Sequence, residues 1–285
     1  MRKVIAVALV FAGLSFGVVS GFSRTSFGVV SGVRHNSLGE VSGFSRTSAD
    51  DVTGTPQGGH VEGNVEYDGR LVFVRVRYEM GGFGGFGGRM RGMREPPWMH
   101  DYPTSDIHMM KILNELTLAK PRIDGSNILT LDDPELFNYP VLYMSEPGYW
   151  QMSDAETKGL SDYLRKGGFI IFDDFRDEHW YTLEAQMKRV LPEGKWLPLD
   201  AQQQVYHSFF EIDALDLLTS YGPHKPEYFG MFEDNDPTKR LFAVANFNND
   251  LGEYWEFSDQ GVDPVDLSNE AYKFGVNYFI YALIH

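Results

Sequence analysis

The chain has 285 residues, 42% hydrophobic, 14% aromatic and 23% charged, a globular composition that excludes a wholly disordered, collagenous or polytopic membrane protein. Its 40 acidic side chains against 25 basic ones give a formal charge of −15, which argues against a nucleic-acid backbone or an anionic membrane as the main partner. With no cysteine, it has no disulfide, no thiolate metal site and no cysteine nucleophile.

At the start, Arg2 and Lys3 precede an apolar run over residues 4–14, and the small residues Ser15, Gly17 and Ser20 follow. This layout predicts a signal peptide over residues 1–20. The run is too short to span a ~30 Å bilayer. Cleavage, no stable transmembrane span after processing and a periplasmic or extracellular location are therefore expected. From Gly17 a Gly/Ser-rich unit recurs three times, beginning at Gly17, Gly28 and Gly39. Each copy has too little apolar surface to offset the entropy of ordering it, so residues 21–66 are expected to be a disordered repeat arm and linker. Residues 67–285 then form a single α/β domain. It carries a flexible Gly-rich insert at 81–94, which lacks the strand-to-helix setting of a phosphate-cradling loop.

Within that body, residues 71–78 alternate Leu/Val/Val with Phe/Arg/Arg, a period-two strand. Ile107, Met110, Leu113 and Leu116 recur at helical spacing over 104–116, with Thr104, Ser105 or Asp106 available as cap. Residues 141–145 read as a short buried strand. Ser153 and Glu156 make a capping box for a helix running to Gly167 and Gly168. A continuous apolar strand follows over 169–172, then a helix over 180–191, a strand over 242–247 and a closing helix over 270–284. Strand and helix alternate, which predicts a largely parallel sheet flanked by helices.

Ligands of such sheets sit beyond the carboxyl ends of the strands. Three strands run there into polar residues: Glu146, Tyr149 and Trp150 after the first; Asp173, Asp174 and Arg176 after the second; Asn248, Asn249, Asp250 and Glu253 after the third. Glu146, Trp150, Asp173, Asp174, Arg176, Asn249, Asp250 and Glu253, together with His207, are the ligand-binding candidates. The Asp173–Asp174 pair could hold a divalent cation such as Ca²⁺ or Mg²⁺, with Glu146 and Asp250 as further oxygen ligands. Alternatively one carboxylate, its pKa raised by the other, could serve as a general acid or base. A purely structural reading has one Asp capping the next segment and the other pairing with Arg176. Four more residues, His100 with Asp101 and Asp106 with His108, could add metal ligands, although their spacing matches no zinc signature. Neighbouring His207 and Ser208 make no triad by adjacency, and the chain has no Gly-x-Ser-x-Gly elbow. Tyr149–Trp150 and Tyr254–Trp255 could stack on a sugar or peptide, or fill core.

Six phrases in order carry a resemblance: Val-Arg-Tyr78, Trp98-Met-His-Asp-Tyr-Pro-Thr-Ser-Asp106, Tyr139-Pro-Val-Leu-Tyr-Met-Ser-Glu-Pro-Gly-Tyr-Trp150, Gly167-Gly-Phe-Ile-Ile-Phe-Asp-Asp-Phe175, His207-Ser-Phe-Phe-Glu-Ile212 and Asn248-Asn-Asp-Leu-Gly-Glu-Tyr-Trp-Glu256. Over about residues 70–285 the chain resembles domain-of-unknown-function family 4159. That resemblance implies a bacterial exported protein with a flavodoxin-like fold similar to class I glutamine amidotransferases. It implies no reaction, and amidotransferase chemistry does not carry over to a chain without cysteine. The expected function is a non-catalytic ligand-binding or assembly module of the cell envelope, acting through an acidic strand-end face on a small ligand or an envelope protein. The alternative is a metal- or carboxylate-dependent hydrolase acting on a sugar or peptide.

Overall fold

A computed structural model describes residues 63–80, 95–216, 218 and 224–285, all within one compact unit. The signal peptide, the repeats and the 81–94 insert lie outside these residues. In chain order the elements are β1 (Val74–Val76), β2 (Glu79–Met80), α1 (Thr104–Leu116), β3 (Asn127–Leu129), β4 (Val141–Ser145), β5 (Trp150–Gln151) and α2 (Asp154–Arg165). They continue with β6 (Phe169–Phe175), α3 (His179–Val190), β7 (Leu197–Pro198), β8 (Glu227–Phe232), β9 (Leu241–Phe247), α4 (Leu251–Glu256) and α5 (Val265–Ile284). The main sheet has seven strands in the order β3-β1-β4-β6-β9-β8-β7. From β3 to β9 all neighbours are parallel, and β8 and β7 add antiparallel pairings at one edge. The protein is thus a mixed α/β fold on a mostly parallel sheet. Strands β2 and β5 pair separately.

Alternation along the strands sorts the core into two layers. Val74, Val76, Leu142, Met144, Ile170 and Phe172 pack with Leu160 and Leu164 of α2 and with Leu183 and Met187 of α3. Phe73, Tyr143, Phe169, Ile171 and Val244 pack on the other side with Met109, Met110 and Leu113 of α1 and with Phe274, Tyr278 and Phe279 of α5. Helices therefore cover both faces, as parallel sheets require. The capping box predicted for α2 is present: Ser153 Oγ accepts from the Glu156 N–H at 3.2 Å, and Glu156 Oε2 accepts from the Ser153 N–H at 2.8 Å. Such a cap stabilises a helix by about 1 kcal/mol. Gly167, at φ +116°, ends α2 in a conformation that favours glycine.

Several expectations shift. The strand expected over 71–78 is three residues long, and its Arg75 is fully buried rather than on a solvated face. Helix α1 has the predicted bounds, but none of the proposed residues caps it; Pro103 precedes it without a side-chain cap bond. Its buried face is Met109, Met110 and Leu113, while Leu116 is exposed, because the covering helices α4 and α5 meet it off the predicted stripe. Strand β6 continues past Phe172 through Asp173 and Asp174 to Phe175, with an irregularity in its pairing to β9 between Phe172 and Phe175. The helix α5 begins five residues before the predicted start at Glu270. No helix among the described residues is long and apolar enough to cross a membrane.

Candidate functional site

Parallel β4, β6 and β9 deliver their carboxyl ends to one edge, where a cleft of about 490 Å³ opens. It is lined by His100, Glu146, Tyr149, Asp174, Arg176 and His179, and on its far side by Asp250, Glu253, Tyr254 and Asp263. Five of the nine sequence candidates, Glu146, Asp174, Arg176, Asp250 and Glu253, meet here. Glu146 lies just beyond β4, with its carbonyl accepting from the Tyr78 hydroxyl at 2.7 Å. Asp250 caps α4 through Oδ1, which accepts from the Glu253 N–H at 2.9 Å.

The adjacent aspartates have separate roles because successive strand residues project to opposite faces. Asp173 turns into the α1/α5 side and is wholly enclosed. Its Oδ2 accepts from the Tyr143 hydroxyl (2.8 Å) and from the N–H groups of Leu251 (2.9 Å) and Gly252 (3.1 Å), and its Oδ1 accepts from Asn246 Nδ2 (2.9 Å). Burial nevertheless pushes its pKa up to about 7 against the pull of these donors. Asp173 thus ties β4, β9 and α4 together and does not line the cleft. Asp174, at φ +59°, faces the cleft, where its Oδ2 lies 2.6 Å from His100 Nδ1 and 3.3 Å from the Ser145 hydroxyl.

The other candidates lie apart from the opening. Trp150 is buried against Phe172, with ring centroids 5.7 Å apart. Asn249 is buried and braces the edge: its Nδ2 donates to the Tyr228 hydroxyl, and its carbonyl accepts from the Asp174 N–H. His207 is not brought to the cleft. It sits on a short turn over residues 204–207, bonded through Nδ1 to Glu211 at 2.5 Å and through Nε2 to the Ala201 carbonyl at 2.6 Å. Asp106 lies away from His108 chemistry, in a buried pair with Arg75, and His108 Nδ1 bonds the Trp255 carbonyl at 2.9 Å.

Residues that the sequence raised only in passing stand at the centre. The His100 imidazole faces three carboxylates: Asp174 at 2.6 Å, Asp101 at 3.6 Å and Glu146 at 3.9 Å. The hydrogen bond to Asp174, with help from the charges of Asp101 and Asp174, raises its pKa to about 10. Ligand atoms of His100, Asp101, Asp174 and Asp250 lie within 4.8 Å of one another. Asp101 is the unusual member, since its side chain has no exposure and neither oxygen accepts a hydrogen bond from the described residues. Burial raises its pKa well above the usual range, as it does that of Asp250. Burial and the Asp174 charge also lift Glu146 to about 8.

The surrounding fold imposes this crowding. Arg75 donates from Nη1 to the carbonyls of His100 (2.8 Å) and Trp98 (3.2 Å), and from Nη2 to Asp106 (2.6 Å) and Ser105 Oγ (3.0 Å). This fork clamps the segment carrying His100 and Asp101 to the start of α1. On the other side, a Cβ at Gly252 would lie 2.3 Å from Asp101 Oδ2 and 2.8 Å from the Tyr143 hydroxyl, so only glycine lets α4 come this close. Asp101, Glu146, Asp174 and Asn248 all have positive φ, between 49° and 63°. Strained backbone of this kind costs on the order of 1–3 kcal/mol per residue and collects at functional sites. The His-Asp pair just ahead of α1 was the available sequence signal for this centre. Tyr149 and Tyr254, raised as stacking aromatics, do line the cleft, whereas His179 and Asp263 gave no signal.

No curated protein matches the chain. A family model does match, over residues 72–283, which contain the whole sheet and every residue of the cleft. The chain belongs to the family described as domain of unknown function (DUF4159).

Proposed function

We propose that this protein is a ligand-binding module whose strand-end cleft holds a divalent cation through His100, Asp101, Asp174 and Asp250. The observation that carries the reading is Asp101, a fully enclosed carboxylate whose two oxygens accept no hydrogen bond from the described residues. Burying a carboxyl group without hydrogen bonds is costly, and the His100 imidazole, 3.6 Å away, is beyond hydrogen-bond reach; buried carboxylates are ordinarily hydrogen-bonded, closely paired or bound to a metal. Three carboxylates with one imidazole make a mixed donor set, which extends the choice beyond Ca²⁺ and Mg²⁺ to Mn²⁺ and Zn²⁺. The cation must displace the proton that Asp174 holds on His100, so affinity rises with pH.

The finer fold reading draws on the strand order. Taken by themselves, the five parallel strands run 2-1-3-4-5, the flavodoxin-like order, whose ligands bind where the order reverses. That reversal lies between β1 and β4, beside the cleft. The charged start and apolar run of residues 2–14 favour export, and with it a role in the bacterial cell envelope. Binding is preferred over hydrolysis because, among the described residues, the cleft lining includes no serine, threonine or cysteine, and the hydroxyl that reaches Asp174, that of Ser145, is fully buried. A carboxylate-based hydrolase remains the second reading, with Glu146 as its acid, because burial keeps this side chain protonated near neutral pH.

Calorimetric titration of the full chain with Mn²⁺, Mg²⁺, Ca²⁺ and Zn²⁺ tests the proposal. At least one cation should bind and raise the melting temperature; Asp101→Asn should abolish both effects, and Asp250→Asn should weaken both. Absence of heat and of any thermal shift with all four cations would refute it.

A further inference from the structure

Asp101 belongs to two groups of potential ligands. One is the set with His100, Asp174 and Asp250; the other joins it to Glu253 and Glu256, again with ligand atoms within 4.8 Å of one another. The two glutamates stand three residues apart on α4, so they share a helix face, and both are half-buried. Burial raises the pKa of Glu253, with Glu256 among the charges adding to the effect. Between the two groups, Asp101 has both oxygens enclosed and free of hydrogen-bond donors among the described residues. A carboxylate ligating one cation normally keeps its second oxygen on a donor or in water, and Asp101 offers neither.

We infer that the cleft is a binuclear centre: Asp101 bridges two divalent cations, the first held with His100, Asp174 and Asp250, the second with Glu253 and Glu256. A bridging carboxylate sets two ions at the ~3.5–4 Å separation at which they jointly clamp an oxygen ligand. The inference rests on the cation reading above and adds the second site and the bridge.

Mn²⁺ is the probe, with binding counted by calorimetry and the coupling of the ions read by electron paramagnetic resonance on the full chain. The expected result is two ions per chain with a spin-coupled spectrum. Glu253→Gln and Glu256→Gln should each reduce this to one ion with the isolated-ion hyperfine pattern, while Asp250→Asn weakens the other site. Both glutamates are partly solvent-accessible, so these variants should fold, which the melting temperature without metal checks. One ion per chain, weakened in Asp250→Asn and unaffected by either glutamate variant, would overturn the bridge and leave the single-cation function standing. Two ions without spin coupling would also overturn it. No binding at all would overturn both readings.

Discussion

Glu146 offers a quantitative test of the charge crowding. Its carboxyl is raised from 4.5 to about 8, first by burial and then by the charge of Asp174. Below pH 4.5 the group is protonated in both folded and unfolded chains and contributes nothing to pH dependence. As pH rises from 4.5 to 8 only the unfolded chain sheds the proton, so folding stability drains away, and the loss is complete above the folded pKa. At pH 7 the linkage integral for these values is about 3 kcal/mol. The side chain is 19% exposed and water relieves part of the cost, so we expect about 1–3 kcal/mol. Glu146→Gln removes the ionisation and should raise the melting temperature at pH 7, in chelator, by about 2–10 °C for a domain of this size. The advantage should shrink to nothing near pH 4.5. Differential scanning calorimetry of both proteins from pH 4.5 to 8 measures it. The comparison subtracts the groups remote from Glu146; His100, which the Glu146 charge helps to raise, does not cancel, and its own raised pKa drains stability at higher pH, as pH climbs from 6.5 toward 10. A variant no more stable than the parent at pH 7, or one whose advantage is the same at pH 4.5, would refute the reasoning.

Three further outcomes follow from the same geometry. Arg75→Met leaves Asp106 buried and unpaired and should cost about 3–5 kcal/mol, measured by urea denaturation, with Arg75→Met/Asp106→Asn recovering a substantial part; equal losses in the single and double variants would contradict the pairing. Gly252→Ala drives a methyl against Asp101 and the Tyr143 hydroxyl, and should cost about 1–3 kcal/mol while eliminating the thermal response to cations; an unchanged response would show that Asp101 does not hold the ion. Asp173→Asn sets an amide NH₂ against hydrogen-bond donors on one side or the other and should cost about 1–3 kcal/mol; because Asp173 braces the sheet rather than lining the cleft, cation stoichiometry should stay the same, and its loss would place Asp173 among the ligands.

Local chemistry in the sequence was enough to locate most of the scaffold. The apolar runs of β4, β6 and β9 and the capping box of α2 are short-range signals, and the helical crossover from β4 to β6 leaves parallel pairing as the natural outcome. The shared strand-end edge of Glu146, Asp174 and Asp250 follows from that pairing alone. β3 was illegible because three residues carry no periodicity, and β8 because Gly230 interrupts its pattern where Leu199 and Leu241 close over it.

Which acidic residues form the centre was a tertiary decision. Asp173 and Asp174 are equivalent as a dipeptide, and only the faces of β6 separate a brace from a cleft carboxylate. Arg75 reads as a surface residue of an alternating strand until Asp106 arrives over it from α1. Asp101 and Glu256 lie 155 positions apart, and their approach depends on a bare Cα at Gly252 that lets α4 close on the loop before α1. His207 shows the converse, a chemically capable side chain whose backbone the fold carries elsewhere. Residue type and periodicity determine what each segment becomes. The burial of one segment by another decides which charges must share a space without water, and that sharing is what creates the centre.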